Sequence, residues 1–283
     1  MTKSHQQTPK WPKQTNPSQP LSGKTVLITR AADSNATFRQ LLESLGAQVL
    51  EMPALEIIPP SSWQALDNNI QNLESFDWLI FTSANGVQYL FQRLDVLGKN
   101  IRQFSHLKIA VVGKKTAQFL SHYGISPHFV PPDFIADSLA SHFPEQLQGK
   151  KILLPRVETG GRDLLVQQLT QKGATVVEVA AYQSVCPEKM DDTVWKAFVN
   201  KTIDVITFAS SKTVRNFHQI LSQTLQHHPH YNLPSLLQPV IIASIGPQTS
   251  ATCREVLGRV DVEAKEYTLE GLAQSLTEFF QQS

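Results

Sequence analysis

Two strand-to-helix turns in this chain carry hydroxyls where an anion would be met, Thr82-Ser83-Ala84-Asn85 and Ala209-Ser210-Ser211-Lys212. Each follows an apolar β-branched run and precedes a helical pattern. Backbone N–H groups at a helix start, with the positive end of the helix dipole, attract carboxylates and phosphates. The plainer alternative is that Ser83, Ser210 and Ser211 are helix N-caps, a position serine favours anyway. Two further turns, Gly113-Lys114-Lys115-Thr116 and Gly246-Pro247-Gln248-Thr249, repeat the pattern with glycine, which lets a ligand approach the backbone closely. Neither is a Walker loop and no GxGxxG is present, so nucleotide binding has little support. Arg30 and Arg156 end two of the apolar runs, where a guanidinium can fork onto a carboxylate or settle into a structural ion pair. Lys114, Lys115 and Lys212 add charge to the same turns or stay solvated. Tyr182 either packs as a plain aromatic or directs its hydroxyl to donate a hydrogen bond or a proton.

Other chemistries find no support. His227-His228-Pro229-His230 lies in a polar stretch without a carboxylate or cysteine nearby, and adjacent loop histidines seldom converge on one ion, so no metal is expected. There is no GxSxG, HExxH, nucleophilic Cys–His pattern or EF-hand loop. Cys186 and Cys253 match no metal or redox spacing and fit two reduced thiols in a reducing cytosol.

The elements that must position these turns are short. VLIT at 26–29, WLIFT at 78–82, KIAVVG at 108–113, KILLP at 151–155, DVITFA at 204–209 and VIIASIG at 240–246 are nearly continuous in apolar residues. Strands buried on both faces have this pattern, which predicts parallel sheets covered by helices. Amphipathic stretches such as ATFRQLLESLGA lie between them and end in glycine.

The chain also repeats itself. KTVLITR at 24–30 matches KKILLPR at 150–156, and each leads through a helix to Gly46-Ala47 or Gly173-Ala174. The offset is 156 − 30 = 126 at the arginines and 173 − 46 = 127 at the glycines. FDWLIFTSANGVQYLFQ at 76–92 matches IDVITFASSKTVRNFHQ at 203–219; Gly113 then pairs with Gly246, and Thr116 with Thr249. An arginine, a serine and a glycine unit thus occur twice in that order. The expected fold is α/β, with two similar flavodoxin-like three-layer lobes holding an anionic small molecule between them. Extended, proline-bearing stretches at 52–60 and 180–187 are expected to form a two-stranded connector. The chain then crosses twice, giving a discontinuous lobe of 22–55 plus 184–283 and a second of 60–181. Tandem lobes cut near residue 149 are the simpler alternative. Residues 1–21, rich in Pro, Gln, Lys and Thr, are expected to be a disordered tail.

With 25 basic and 24 acidic residues among 283, no broad basic field exists to grip nucleic acid. No apolar run reaches the roughly 18 residues of a membrane span, and the N-terminus lacks a secretory pattern. A cytoplasmic protein, with no membrane or nucleic-acid partner, is the expectation.

VLITR at 26–30, FTSANGV at 81–87, VVGKKTAQFLSHYG at 111–124, LLPR at 153–156, EVAAYQ at 178–183, FASSKTV at 208–214 and SIGPQTSATCREVLG at 244–258 together resemble the uroporphyrinogen-III synthase family of tetrapyrrole biosynthesis, from about Lys24 to about Leu276. The resemblance implies a cofactor-independent lyase. Hydroxymethylbilane, which carries eight carboxylates, loses its hydroxyl, its last pyrrole is inverted through a spiro intermediate, and the ring closes as uroporphyrinogen III. A monomer is expected because one chain can enclose the substrate, with transient contact with the upstream deaminase as a further expectation. Tyr182 resembles the family's connector tyrosine, placed to assist departure of the hydroxyl. Substrate contacts are expected at Arg30, Ser83, Ala84, Asn85, Gly113, Thr116, Arg156, Ser210, Ser211, Gly246 and Thr249. One departure is FASS, where FTS is commoner, so Ala209 supplies no hydroxyl. From a different class, a non-catalytic two-lobed sensor or carrier of an anionic metabolite would share these features but return its ligand unchanged.

Overall fold

The computed structural model of the protein describes residues 19–30, 35–101, 106–133, 136–160 and 164–282. The first arginine unit forms β1 (Thr25–Ile28), α1 (Ala36–Ser44) and β2 (Gln48–Glu51), followed by β3 (Glu56–Ile58) and α2 (Gln64–Gln71). The first serine unit forms β4 (Trp78–Phe81) and α3 (Ala84–Val96). The first glycine unit forms β5 (Lys108–Val111) and α4 (Lys114–Ser121), with α5 (Ala136–Ser141) beyond. The second round opens with β6 (Lys151–Val157), α6 (Leu164–Gln171) and β7 (Thr175–Val185). α7 (Asp192–Val199) leads to β8 (Val205–Phe208) and α8 (Ser211–Gln226); then come α9 (Leu233–Leu237), β9 (Ile241–Ser244), α10 (Pro247–Leu257), β10 (Val262–Glu263) and α11 (Leu269–Gln282).

The strands form two sheets, β10-β9-β8-β1-β2 and β3-β7-β6-β4-β5. β1 pairs in parallel with β2 and β8, and β6 pairs in parallel with β7 and β4. In both sheets the arginine-unit pair therefore abuts the serine-unit strand, followed by the glycine-unit strand. Read from β2, the first sheet has the doubly wound order 2-1-3-4-5, whereas the second carries β3 outside β7 and no strand beyond β5. The register repeats too: Val26 lies opposite Val205, and Ile152 opposite Trp78. The chain divides into one unit of Met1–Glu56 with Cys186–Ser283 and another of Ile57–Val185.

The apolar runs are continuous because each strand feeds a core on both faces. Leu79 and Phe81 of β4 pack with Leu90 and Leu120, whereas Trp78 and Ile80 pack with Leu139 and Leu169. In the other unit Ile206 and Phe208 meet Phe217, while Val205 joins Phe38 and Leu42. An aspartate clips the arginine strand to the serine strand in each. Asp77 accepts from Lys151 N at 2.8 Å and Lys150 Nζ at 3.1 Å; Asp204 accepts from Thr25 N at 2.8 Å, with Lys24 Nζ 3.6 Å away. The Lys151 amide first, and Lys150 after it, hold the Asp77 carboxyl below its ordinary range. A depressed folded pKa gives stability that is present above the unfolded value near 4 and is lost as pH falls through the folded value. Asp77→Asn is therefore expected to flatten the acid side of the stability profile, as read by thermal melting against pH. Its cost at neutral pH should be at most about 1 kcal/mol, because the pair is partly solvated.

One expectation needs correction. Leu21, assigned to the tail, is fully buried with Phe38 and Leu42, and its N–H donates to Leu45 O at 2.9 Å. A turn through Gln19–Gly23 folds it onto α1, which averaged composition does not reveal; residues 1–18 lie outside the described residues. The extended stretch expected at 180–187 continues the strand before it. β7 runs unbroken from Thr175 to Val185, because β3 and β6 flank it on either side and take up its backbone groups. No described helix is long and apolar enough to cross a membrane.

Candidate functional site

In a sheet of this order, the connections part at the carboxyl ends of the first arginine strand and the serine strand, and ligands bind there. That end carries Arg30 and Ser210 after β1 and β8, and Arg156 and Ser83 at the ends of β6 and β4.

Ser83 is extended at φ −152° and ψ 155° and caps α3, accepting from Gly86 N at 3.1 Å. Gly86 suits this start, since a Cβ there would lie 3.1 Å from Pro155 O. The Ser83 hydroxyl also lies 3.0 Å from the Tyr182 hydroxyl. Tyr182 belongs to β7, where the register slips between Arg156 and Val157: Arg156 faces Ala180, but Val157 faces Tyr182. Such a bulge re-aims the side chains beyond it. The Tyr182 ring is 8% exposed and stacks on Tyr89, centroids 6.0 Å apart, and the Tyr89 hydroxyl donates to Ile57 O at 3.1 Å. A serine oxygen has one proton and two lone pairs, and Gly86 uses one pair. If Ser83 donates to Tyr182, the phenol proton is left for a third group.

Ser210 caps α8 through Thr213 N at 3.2 Å, and Ala209 and Ser210 are half-buried. Ser210→Ala should cost about 1 kcal/mol in a denaturation experiment, the ordinary worth of an N-cap. Ser211 is committed internally: it donates to Gln248 O at 3.2 Å and accepts from Thr252 Oγ1 at 2.8 Å, tying the serine turn to the glycine turn. Ala84 and Asn85 are half-buried in the first turn of α3. Gly113 caps α4 at φ −130°, and a Cβ there would meet nothing within 4 Å. Neither packing nor backbone conformation calls for glycine at that position. Thr116 and Thr249 are each 5% exposed, so their side chains lie largely inside. A Cβ on Gly246 would come 2.9 Å from the Tyr267 ring, and Tyr267 is 66% exposed. Sequence reasoning missed Tyr267, although Phe134, outside the described residues, follows Gly113 at the same distance, 134 − 113 = 267 − 246 = 21.

The two arginines part company. Arg156 Nη1 donates to Glu178 Oε2. Arg30 Nε is buried with no hydrogen-bond partner among the described residues, and burial pushes its guanidinium pKa down. A buried N–H without an acceptor costs free energy, and a carboxylate that reaches it relieves that cost.

The remaining reactive groups are quiet. Burial pushes the Cys253 thiol up to about 12 and raises that of Cys186. His228 stacks on Trp195 with centroids 4.4 Å apart, and Tyr231 meets the same ring edge-on. Among the described residues no His, Cys, Asp or Glu cluster is arranged to hold a metal ion.

A family model described as uroporphyrinogen-III synthase HemD matches residues 36–274. A uroporphyrinogen-III synthase of Synechococcus elongatus is 48% identical over 265 residues, covering 94% of this chain and 98% of its own. One from Chlorobaculum parvum is 27% identical over 263 residues, covering 90% and 98%. Among solved structures, a mutant uroporphyrinogen III synthase from Thermus thermophilus aligns with a TM-score of 0.57 at 19% identity, over 92% of this chain and all of that one. The synthetase from Helicobacter pylori gives 0.57 at 16% identity, over 90% and 99%. These structural likenesses speak for the fold.

Proposed function

The chain belongs to the uroporphyrinogen-III synthase family, and we propose that within it the Ser83–Tyr182 pair starts the reaction. The protein cyclises hydroxymethylbilane to uroporphyrinogen III with loss of water. Electron density from the first pyrrole expels the hydroxymethyl oxygen, and the C–O pair leaves on that oxygen. Tyr182 supplies the proton that turns it into water, while Ser83 hydrogen-bonds the phenolate oxygen left behind. When the inverted last ring closes, its carbon releases a proton, which restores the phenol and balances the step. The observation that carries this assignment is the 3.0 Å contact between Ser83 and Tyr182, on a ring fixed by Tyr89.

Each unit, taken by itself, also offers groups suited to carboxylates. Gly113 leaves room beside the start of α4, where a side chain would otherwise stand. Arg30 offers a buried donor. Ser211, occupied by Thr252 and Gln248, serves by fixing the two turns relative to each other. The bilane closes unaided to the uninverted isomer, so the protein acts by favouring the geometry of inverted closure. Single changes at Thr116 or Thr249 are accordingly expected to leave turnover within a few-fold of the unaltered protein, measured in the assay that follows.

The test generates hydroxymethylbilane with its deaminase, adds the protein, oxidises the products and separates the isomers. Predominant isomer III is expected. Only isomer I from a folded, monodisperse sample overturns the assignment, and return of unchanged ligand would favour a carrier.

A further inference from the structure

The repeat places an arginine and a glutamate at matching positions twice, Arg30 with Glu51 and Arg156 with Glu178, the glutamates offset by 178 − 51 = 127. Glu51 lies opposite Ile28, and Glu178 opposite Leu154. Each glutamate is therefore diagonal to its arginine, two residues further along the neighbouring strand. In the second copy the two meet, Arg156 donating to Glu178. In the first copy Glu51 Oε1 instead accepts from Arg39 Nη1 at 3.1 Å, while Arg39 Nε donates to Glu43 Oε1 at 2.9 Å. Aligned on Gly46 and Gly173, the counterpart of Arg39 is Val166, since 39 + 127 = 166. Val166 packs against the core and carries no charge. Among the described residues, the different pairing of the two glutamates goes with one side-chain difference on the intervening helix, Arg39 in place of Val166.

We propose that Arg39 is a positioning residue: by occupying Glu51 it keeps the Arg30 guanidinium open for a substrate carboxylate, while Arg156, with no such competitor, serves structure. The proposal rests on the reading of Arg30 as a carboxylate contact. It explains why the Arg30 Nε has no acceptor among the described residues while Arg156 donates to Glu178. Removing Arg39 releases Glu51, which then competes with the substrate for Arg30. Removing the Glu51 charge abolishes that competition.

The experiment measures KM and kcat for hydroxymethylbilane in the isomer-resolved coupled assay. Arg39→Leu is expected to raise KM about ten-fold, the worth of one charge-assisted hydrogen bond, with kcat unchanged. Glu51→Gln alone should leave both constants unchanged, and Arg39→Leu with Glu51→Gln should bring KM back to the unaltered value. Arg39 is 45% exposed, and thermal melting of each variant confirms folding; Arg39→Gln replaces Arg39→Leu if the latter melts early. An Arg39→Leu variant with unaltered KM, or one whose raised KM persists when Glu51 is neutralised, overturns the proposal. Arg30→Met separates the two readings. A raised KM upholds the carboxylate contact whatever the Arg39 variants do; an unchanged KM removes the contact and the proposal with it.

Discussion

Tyr182→Phe is expected to lower turnover to isomer III by about two orders of magnitude while KM stays within roughly two-fold, the pattern of an interaction made in the transition state. The change removes one oxygen and nothing else. The ring keeps its stack on Tyr89 and its place in the core, and Ser83 keeps its hydrogen bond from Gly86. What disappears is the proposed proton donor to the departing hydroxyl. Ser83→Ala should give a smaller loss, because the phenol keeps its proton and loses only its orienting partner. That variant should also melt earlier through loss of the α3 cap. Steady-state rates with isomer separation check both. Full turnover by Tyr182→Phe would show that the phenol packs and does no chemistry.

Gly271→Ala is expected to destabilise the protein by about 3 kcal/mol, at the upper end for overpacking. A Cβ there would sit 2.2 Å from Glu266 O and 2.9 Å from Glu266 Cβ. A carbonyl in a turn cannot rotate aside as a side-chain tip can. The same turn is closed by Gly271 N donating to Thr268 Oγ1 at 2.9 Å, and α11 beyond it buries Leu272, Ala273 and Leu276. Relief therefore requires shifting the helix or opening the turn, and either would carry Tyr267 away from Gly246. Urea unfolding reads the loss, and a variant of unaltered stability would show that the turn yields freely.

Much of the fold was legible because its signals are local and repeated. VLIT, WLIFT and VITFA each mark a strand that the structure places within a residue or two, since a strand buried on both faces leaves no room for polar residues. The repeat went further, matching Asp77 to Asp204 and Ser83 to Ser210, pairs that share their hydrogen-bonding roles. What stayed hidden depends on partners far apart in sequence. Whether Arg30 or Arg156 is satisfied turns on which arginine reaches each glutamate first. Whether Ser211 faces outward or ties down a neighbouring turn turns on Thr252. The approach of Tyr182 to Ser83 depends on a one-residue slip in β6–β7 pairing, and apolar periodicity carries no trace of such a slip.

The split of one unit across the chain has a consequence during synthesis. β1 finds one neighbour, β2, close behind it, but the other, β8, begins only at Val205. All of Ile57–Val185 leaves the ribosome in between and can fold first as a self-contained unit. At about 5–20 residues per second, the first arginine unit waits roughly 10–30 s with one edge of β1 unpaired and Val26, Leu27 and Ile28 without their full core. The nascent chain is thus most exposed to misassociation in its first fifty-odd residues, and a chaperone that binds short apolar strands would find its footing there.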